Sequence, residues 1–189
     1  MKTITIFGKG NMGTAIGGLF EDAGNKVSYI GSKDTADTLG DIVVLAVNYP
    51  VIAGILDMYK EALKGKIIID ISNPVNTETF DGLMVPADAS AAAVIADLVA
   101  ARVVKGFNVN FAASLSNKKV GDNTTTVLLA SDDHDAKEDI IKALDGSGVR
   151  VKDAGSLKRA RELEAIGFLQ IKLAASENIS WNNGFALID

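Results

Sequence analysis

The 189-residue sequence has no cysteine, a single histidine, no excess of basic charge and no long apolar run. Without cysteine there can be no disulfide framework, no thiolate zinc or iron–sulfur site and no cysteine nucleophile. The lone histidine, His134, sits in Ser131-Asp132-Asp133-His134-Asp135, which reads as the start of a helix, so no metal site is expected. The apolar stretches at 42–47 and 91–101 fall short of the ~20 residues a membrane span needs, and Asp97 interrupts the second. A formal net charge of -5 argues against nucleic acid or an anionic membrane as the main partner, so any bound anion must be held by local geometry. The N-terminus enters an apolar segment at once, with no basic-then-apolar leader, and a cytoplasmic location is expected.

What the chain does have is a glycine triplet, Gly8-x-Gly10-x-x-Gly13, between an apolar strand at 3–7 and an amphipathic helix. Strand, glycine turn and helix in that order form the phosphate-binding corner of a Rossmann unit. Gly8 makes the tight turn, Gly10 lets the backbone approach a pyrophosphate, and Gly13 lets the helix lie close to the strand. The helix opening at Asn11 and Met12 then offers free N–H groups and partial positive charge to the anion.

The pattern continues as βαβα. Met12, Ala15, Ile16, Leu19, Phe20 and Ala23 mark one face of the first helix, which Gly24 stops, and 26–30 reads as a second strand. Near-continuous apolar runs at 41–47, 67–71, 103–107 and 124–130 predict strands covered on both faces, as in a mainly parallel sheet. Helices are expected at 51–63, 91–101, 135–144 and, longest of all, 156–176, with a short strand at 149–151. Residues 33–40 are too few for the usual third strand and its crossover helix, so the sheet is trimmed and 26–30 becomes its edge. The expected architecture is one α/β, Rossmann-like, doubly wound domain over residues 1–189 with a shortened third-strand region. The stretch 77–89 is either a lid over the ligand crevice or an ordinary surface loop. The long terminal helix is apolar almost all round between Ala165 and Ala175, which suits either a homodimer seam or packing on its own sheet; Trp181 and Phe185 could complete either surface.

An NAD site usually places an acidic residue at the end of the second strand to accept from both ribose hydroxyls. Here the chain reads Tyr29-Ile30-Gly31-Ser32-Lys33, and a hydroxyl with an ammonium suits the 2′-phosphate of NADP, with Lys9 in the glycine turn adding a second positive charge. The competing reading makes Lys9 and Lys33 solvated surface groups and turns Asp34 in to serve the ribose. Other strand ends carry Val47-Asn48-Tyr49-Pro50 and Ser72-Asn73-Pro74, and Asn108, Asn110 and Phe111 follow the run at 103–107. These amides and rings suit a carboxamide and a planar ring, although Asn-Pro and Tyr-Pro also start ordinary turns. Neither a Ser-His-Asp set nor a strand-end lysine or histidine able to protonate a carbonyl is evident, so no catalytic residue is assigned. Hydride transfer to a flavin-like ring needs chiefly alignment of two planes and exclusion of water, which such a site can supply.

Five stretches carry a resemblance to the coenzyme F420-dependent NADP oxidoreductases: 6–13 with Gly31-Ser32-Lys33, VLAVNYPVIAGI at 44–55, DISNPVN at 70–76, VVKGFNVNFAASL at 103–115 and DAGSLKRAREL at 153–163. The resemblance implies that Lys9, Ser32 and Lys33 hold the 2′-phosphate. It also implies that Asn48, Tyr49, Pro50, Asn73 and Pro74, with Asn108 and Phe111, line the pocket where hydride passes between nicotinamide and deazaflavin. The sequence departs from the family pattern in having Lys9 where a small hydroxyl residue is usual, Lys33 for arginine and Asn48 for a common proline. Lys33 keeps the charge but loses the bidentate fork. The expected activity is an NADP-dependent oxidoreductase acting on a deazaflavin, flavin or similar acceptor. A non-catalytic NADP-binding sensor or subunit is the alternative. A pyrroline-5-carboxylate reductase-like imine reductase is a third reading, suggested by GKGNMGTAIGGL at 8–19 and opposed by the strand pattern that continues after residue 124.

Overall fold

A computed structural model describes residues 1–188. Its strands are β1 (Thr3–Phe7), β2 (Lys26–Ile30), β3 (Ile42–Leu45), β4 (Ile67–Asp70), β5 (Arg102–Gly106), β6 (Lys119–Val120), β7 (Asn123–Thr124), β8 (Thr126–Ala130) and β9 (Arg150–Gly155). Its helices are α1 (Asn11–Asp22), α2 (Tyr49–Met58), α3 (Ala91–Leu98), α4 (Ala112–Asn117), α5 (His134–Ala143) and α6 (Ala160–Ala175).

Seven strands form one sheet in the order β2-β1-β3-β4-β5-β8-β9, and β6 and β7 make a separate small hairpin. All pairings in the main sheet are parallel except β5 with β8. The apolar runs explain the layering, because alternate side chains of each inner strand enter opposite cores. Ile4, Ile6, Ile42, Val44, Ile69 and Val104 pack on one face with α1, α4 and α5. Phe7, Val43, Leu45, Ile68 and Val103 pack on the other with α2, α3 and the start of α6. This is a doubly wound, Rossmann-like sheet. The chain leaves β1 for β2 on one side and returns to β3 on the other, so the loops after β1 and β3 diverge and open a crevice at that switch point. As the short 33–40 connection implies, β2 is an edge strand.

Several boundaries differ from the sequence reading. The helix expected at 51–63 begins at Tyr49, with Pro50 in its first turn, and ends at Met58. Turns then carry the chain to Gly65, keeping Tyr59 and Leu63 buried, so consecutive turns here reproduce a helical apolar spacing. The helix expected at 91–101 stops at Leu98. The element expected as one helix over 156–176 starts as a 3₁₀ turn at Leu157–Arg159 and becomes α-helical only from Ala160. Strand β9 is twice the expected length because it continues through Lys152–Asp153, polar and exposed at the sheet edge, where pairing with β8 needs no apolar side chains. The short α4 and the β6–β7 hairpin were not anticipated; Lys118, in the left-handed region at φ 59, ends that helix and turns into the hairpin. As expected, His134 opens a helix, with Asp133 as N-cap accepting from Ala136 N.

Candidate active site

Three cavities adjoin one another along the strand ends. The first, about 660 Å³, lies between β2 and α2 and is lined by Gly8, Ser32, Lys33 and Asp34 on one side and Val51, Ile55, Met58 and Tyr59 on the other. The second, about 530 Å³, shares Ala46, Val47 and Asn48 with it and continues past Gly10, Tyr49, Pro50, Ser72 and Asn73. The third, about 490 Å³, shares Asn11, Met12, Ile71, Asn73 and Ile171 with the second and ends at Asn108, Asn110, Phe111 and Trp181. Of the candidate ligand-binding residues named from the sequence, only Lys9, Gly13 and Pro74 lie outside these walls.

The glycine turn is built as its spacing predicts. Gly8 has φ +109, and a Cβ there would collide with the Ala46 carbonyl, so no other residue fits without displacing β3. Gly13 packs under the Gly8 carbonyl and serves the closeness of helix to strand. At Gly10 a Cβ would meet nothing within 4 Å, and this N-cap residue of α1 makes no side-chain cap bond. The opening therefore keeps both space and backbone donors for an anion, which is the fit a dinucleotide pyrophosphate requires.

At the end of β2 the charges are paired differently from the simplest expectation. Lys9 Nζ meets Asp34 Oδ2 at 2.5 Å, and the same oxygen accepts from Gly31 N at 2.9 Å. The Lys9 hydrogen bond, with help from Gly31, holds the Asp34 carboxyl below its ordinary value. Ser32 and Lys33 line the cavity beside it. Tyr59 closes the far wall, its ring 5.1 Å from that of Phe7 and its hydroxyl accepting from Ala36 N.

At the other end the asparagines divide their work. Asn73 and Asn108 are locked together: Asn73 Nδ2 donates to the Asn108 carbonyl at 2.8 Å, and Asn108 Nδ2 donates to Asn73 Oδ1 at 2.9 Å. Helix α6 crosses this pair so closely that only a glycine, Gly167, can sit over Asn73. Asn73 is therefore a wall and brace, with its carboxamide already engaged. Ser72 Oγ, Asn108 Oδ1 and Asn110 Oδ1 are buried and find no hydrogen-bond partner among the described residues. Buried polar atoms are seldom left unpaired, and these three sit on residues that line the second and third cavities. Trp181 comes from the tail after α6 and packs on Phe111, ring centres 5.0 Å apart, to form the apolar end wall. The 77–89 stretch faces the crevice, with Thr77, Phe80 and Met84 in the second cavity.

Behind these walls lies a cluster that the sequence reading did not assign. Lys105, Asp70 and Glu164 are all fully buried. Lys105 Nζ lies 2.8 Å from Asp70 Oδ2 and 2.8 Å from Glu164 Oε1, and it also donates to the Ser72 carbonyl. Asp70 Oδ1 accepts from Ser72 N at 2.9 Å, so the residue before Asn73 is clamped at both its N–H and its C=O. Glu164 accepts from Ala91 N at 3.0 Å and Ala92 N at 3.4 Å at the start of α3. Burial still raises its pKa, although Lys105 pulls the other way. Tyr49, in the second cavity, has its hydroxyl pKa raised by burial and by the nearby Glu164 and Asp70. The available hint in the sequence was a lysine inside the apolar run of β5 and an aspartate ending that of β4.

Comparison with known proteins agrees with this architecture. Residues 31–74 match the family model described as NADP oxidoreductase coenzyme F420-dependent. The chain is 32% identical over 147 residues to the F420-dependent NADP reductase of Methanocaldococcus jannaschii, an alignment covering 75% of this chain and 65% of that protein. Thus it spans a little under two thirds of that relative. It is 36% identical over 107 residues to metalloreductase STEAP3 of Rattus norvegicus, covering 56% of this chain and 21% of the rat protein. A solved protein of Arthrobacter sp. FB24, provisionally assigned as an F420-dependent NADP reductase, shares the fold over 100% of both chains with a TM-score of 0.85 at 23% identity. In its matched segment and in its curated similarity, this chain is similar to the coenzyme F420-dependent NADP oxidoreductases.

Proposed function

We propose that the protein is an NADP(H)-dependent oxidoreductase that passes hydride between nicotinamide and a deazaflavin, flavin or similar small redox acceptor. The observation that carries this reading is the continuity of the crevice: it runs from the glycine turn to the Phe111–Trp181 wall, with Asn11 and Met12 lining both the second and third cavities. Two planar groups, one entering from each end, would meet above those residues.

Position supports the following roles for the chain's residues. Gly8, Gly10 and the N-terminus of α1 receive the pyrophosphate; Lys9, Ser32 and Lys33 receive the 2′-phosphate. Val47, Asn48, Tyr49 and Pro50, with the braced Asn73, bound the nicotinamide subsite, and Asn108 and Phe111 bound the acceptor; Pro74 follows Asn73 but lies outside the cavity walls. Bound NADPH supplies the hydride. The protein contributes alignment and a dry pocket, since rate in such a transfer depends on how well the two rings are held. The unpaired side-chain Oδ1 atoms of Asn108 and Asn110 favour an acceptor with N–H or O–H donors. Leu163 and Ala174 of α6 pack inward while Ile166 and Leu169 are exposed, so the helix serves its own fold and also leaves an apolar strip suited to a homodimer.

The decisive experiment mixes the purified protein with NADPH and a panel of deazaflavin, flavin, quinone and ferric acceptors and follows the reduced-nicotinamide absorbance. Turnover with a ring acceptor is the expected result. Binding of NADPH with no turnover on any acceptor would instead identify a sensor or presenting subunit.

A further inference from the structure

The end of β2 carries a carboxylate where a reader of 2′-phosphate would be expected to carry none. Asp34 is held there firmly: its Oδ2 takes both the Lys9 ammonium at 2.5 Å and the Gly31 N–H at 2.9 Å, and Asp34 N closes the same turn on the Gly31 carbonyl at 3.1 Å. The stem of Lys9 crosses directly over Gly31, where an added Cβ would lie 3.4 Å from its Cδ and 3.5 Å from its Cε. An ammonium and a backbone N–H thus converge on one oxyanion at the rim of the first cavity, beside Ser32 and Lys33. Convergent donors of this kind are what a phosphate monoester dianion needs.

Building on the NADP reading above, we propose that Asp34 is an internal competitor for the 2′-phosphate and therefore the residue that sets the NADPH-to-NADH preference of this chain. Asp34 occupies the donors Lys9 and Gly31. When NADPH arrives, its 2′-phosphate takes those donors and the carboxylate turns out to solvent, which it can do because the pair is roughly half exposed. When NADH arrives there is no phosphate to displace it; Asp34 stays on Lys9 and offers its other oxygen to the ribose hydroxyls. One residue then weakens NADPH and strengthens NADH, and the preference set by Lys9, Ser32 and Lys33 is narrower than those three residues would produce alone.

The test is the dissociation constant for NADPH and for NADH in the wild type, Asp34→Asn, Lys9→Ala and the double variant, with Asp37→Asn as a nearby exposed acid for control. Asp34→Asn is expected to tighten NADPH by about three- to tenfold and to weaken NADH by a similar factor. Lys9→Ala should cost more NADPH affinity in the Asp34→Asn background than in the wild type, because there its charge has no internal partner. Asp37→Asn should leave the ratio unchanged. An equal change for both cofactors on Asp34→Asn, or the same response to Asp37→Asn, would overturn the proposal while leaving the NADP reading intact. If the wild type binds neither cofactor, the reading and the proposal fall together.

Discussion

Two lysines meet carboxylates at opposite ends of one crevice, and they do so in opposite surroundings. Lys105 lies among Asp70 and Glu164 with no solvent contact, whereas Lys9 and Asp34 are about half exposed on two loops. The distances are similarly short, so geometry alone does not separate the two sites. Solvent does. In water the ions are well solvated apart, and a competing anion can replace one of them cheaply. In the interior neither partner has an alternative, and removing one strands the other. The buried cluster is therefore a fixed brace under the Ser72–Asn73 strand end, and the exposed pair is a latch that a ligand can open.

The strongest way to break this contrast is Lys105→Met. It leaves Asp70 and Glu164 buried without their cation, and we expect a loss of about 3–5 kcal/mol in denaturant unfolding. A loss below about 1 kcal/mol would mean the cluster is not a brace. A half-buried pair provides the intermediate case. Asp133 accepts from Arg102 Nε at 2.6 Å and Nη2 at 3.0 Å while capping α5, and the Arg102 hydrogen bond lowers its pKa from 3.8 to about 2. Asp133→Ala should cost about 1–2 kcal/mol, with the cap and a partly screened pair both lost. Because the folded-state pKa is the lower one, this stabilisation is present above pH 3.8 and disappears as pH falls toward about 2; the deficit of Asp133→Ala measured in acid titrations should shrink over that window.

At the exposed end the effects should appear only when ligand is present. Lys33→Asp is expected to weaken NADPH by at least ~10-fold, about 1.4 kcal/mol, while NADH changes far less. Equal losses in titrations with the two cofactors would make Lys33 a surface charge and no more. The smallest effect is on stability: Lys9→Ala should shift the unfolding free energy of the apo protein by no more than about 0.5 kcal/mol. A larger shift would show that the latch also braces the fold, and the contrast between the two ends would weaken.

The glycine corner was legible because each of its requirements is local. Gly8, Gly10 and Gly13 are demanded by positions within one turn, and β1 and α1 each announce themselves by period, so the order of residues alone specifies the motif. The strand ends at Asn48 and Asn73 could be recognised as crevice residues by the same local logic of apolar run followed by polar turn. Which atoms remained available there could not. Asn73 spends its carboxamide on Asn108, and that partner is 35 residues away. The wall formed by Trp181 on Phe111 depends on where the tail after α6 returns. The brace was equally hidden, since a lysine in an apolar strand gains meaning only when α6 brings Glu164 to it.

From its order of residues alone this chain determined a glycine turn, a parallel apolar sheet and a polar rim at the strand ends, because those follow from periodicity and from the shape of single residues. Tertiary structure decided how each charge is used. Whether a lysine is a brace or a latch depends on the dielectric around it and on which carboxylate the fold brings within reach, and both are set by elements distant in sequence.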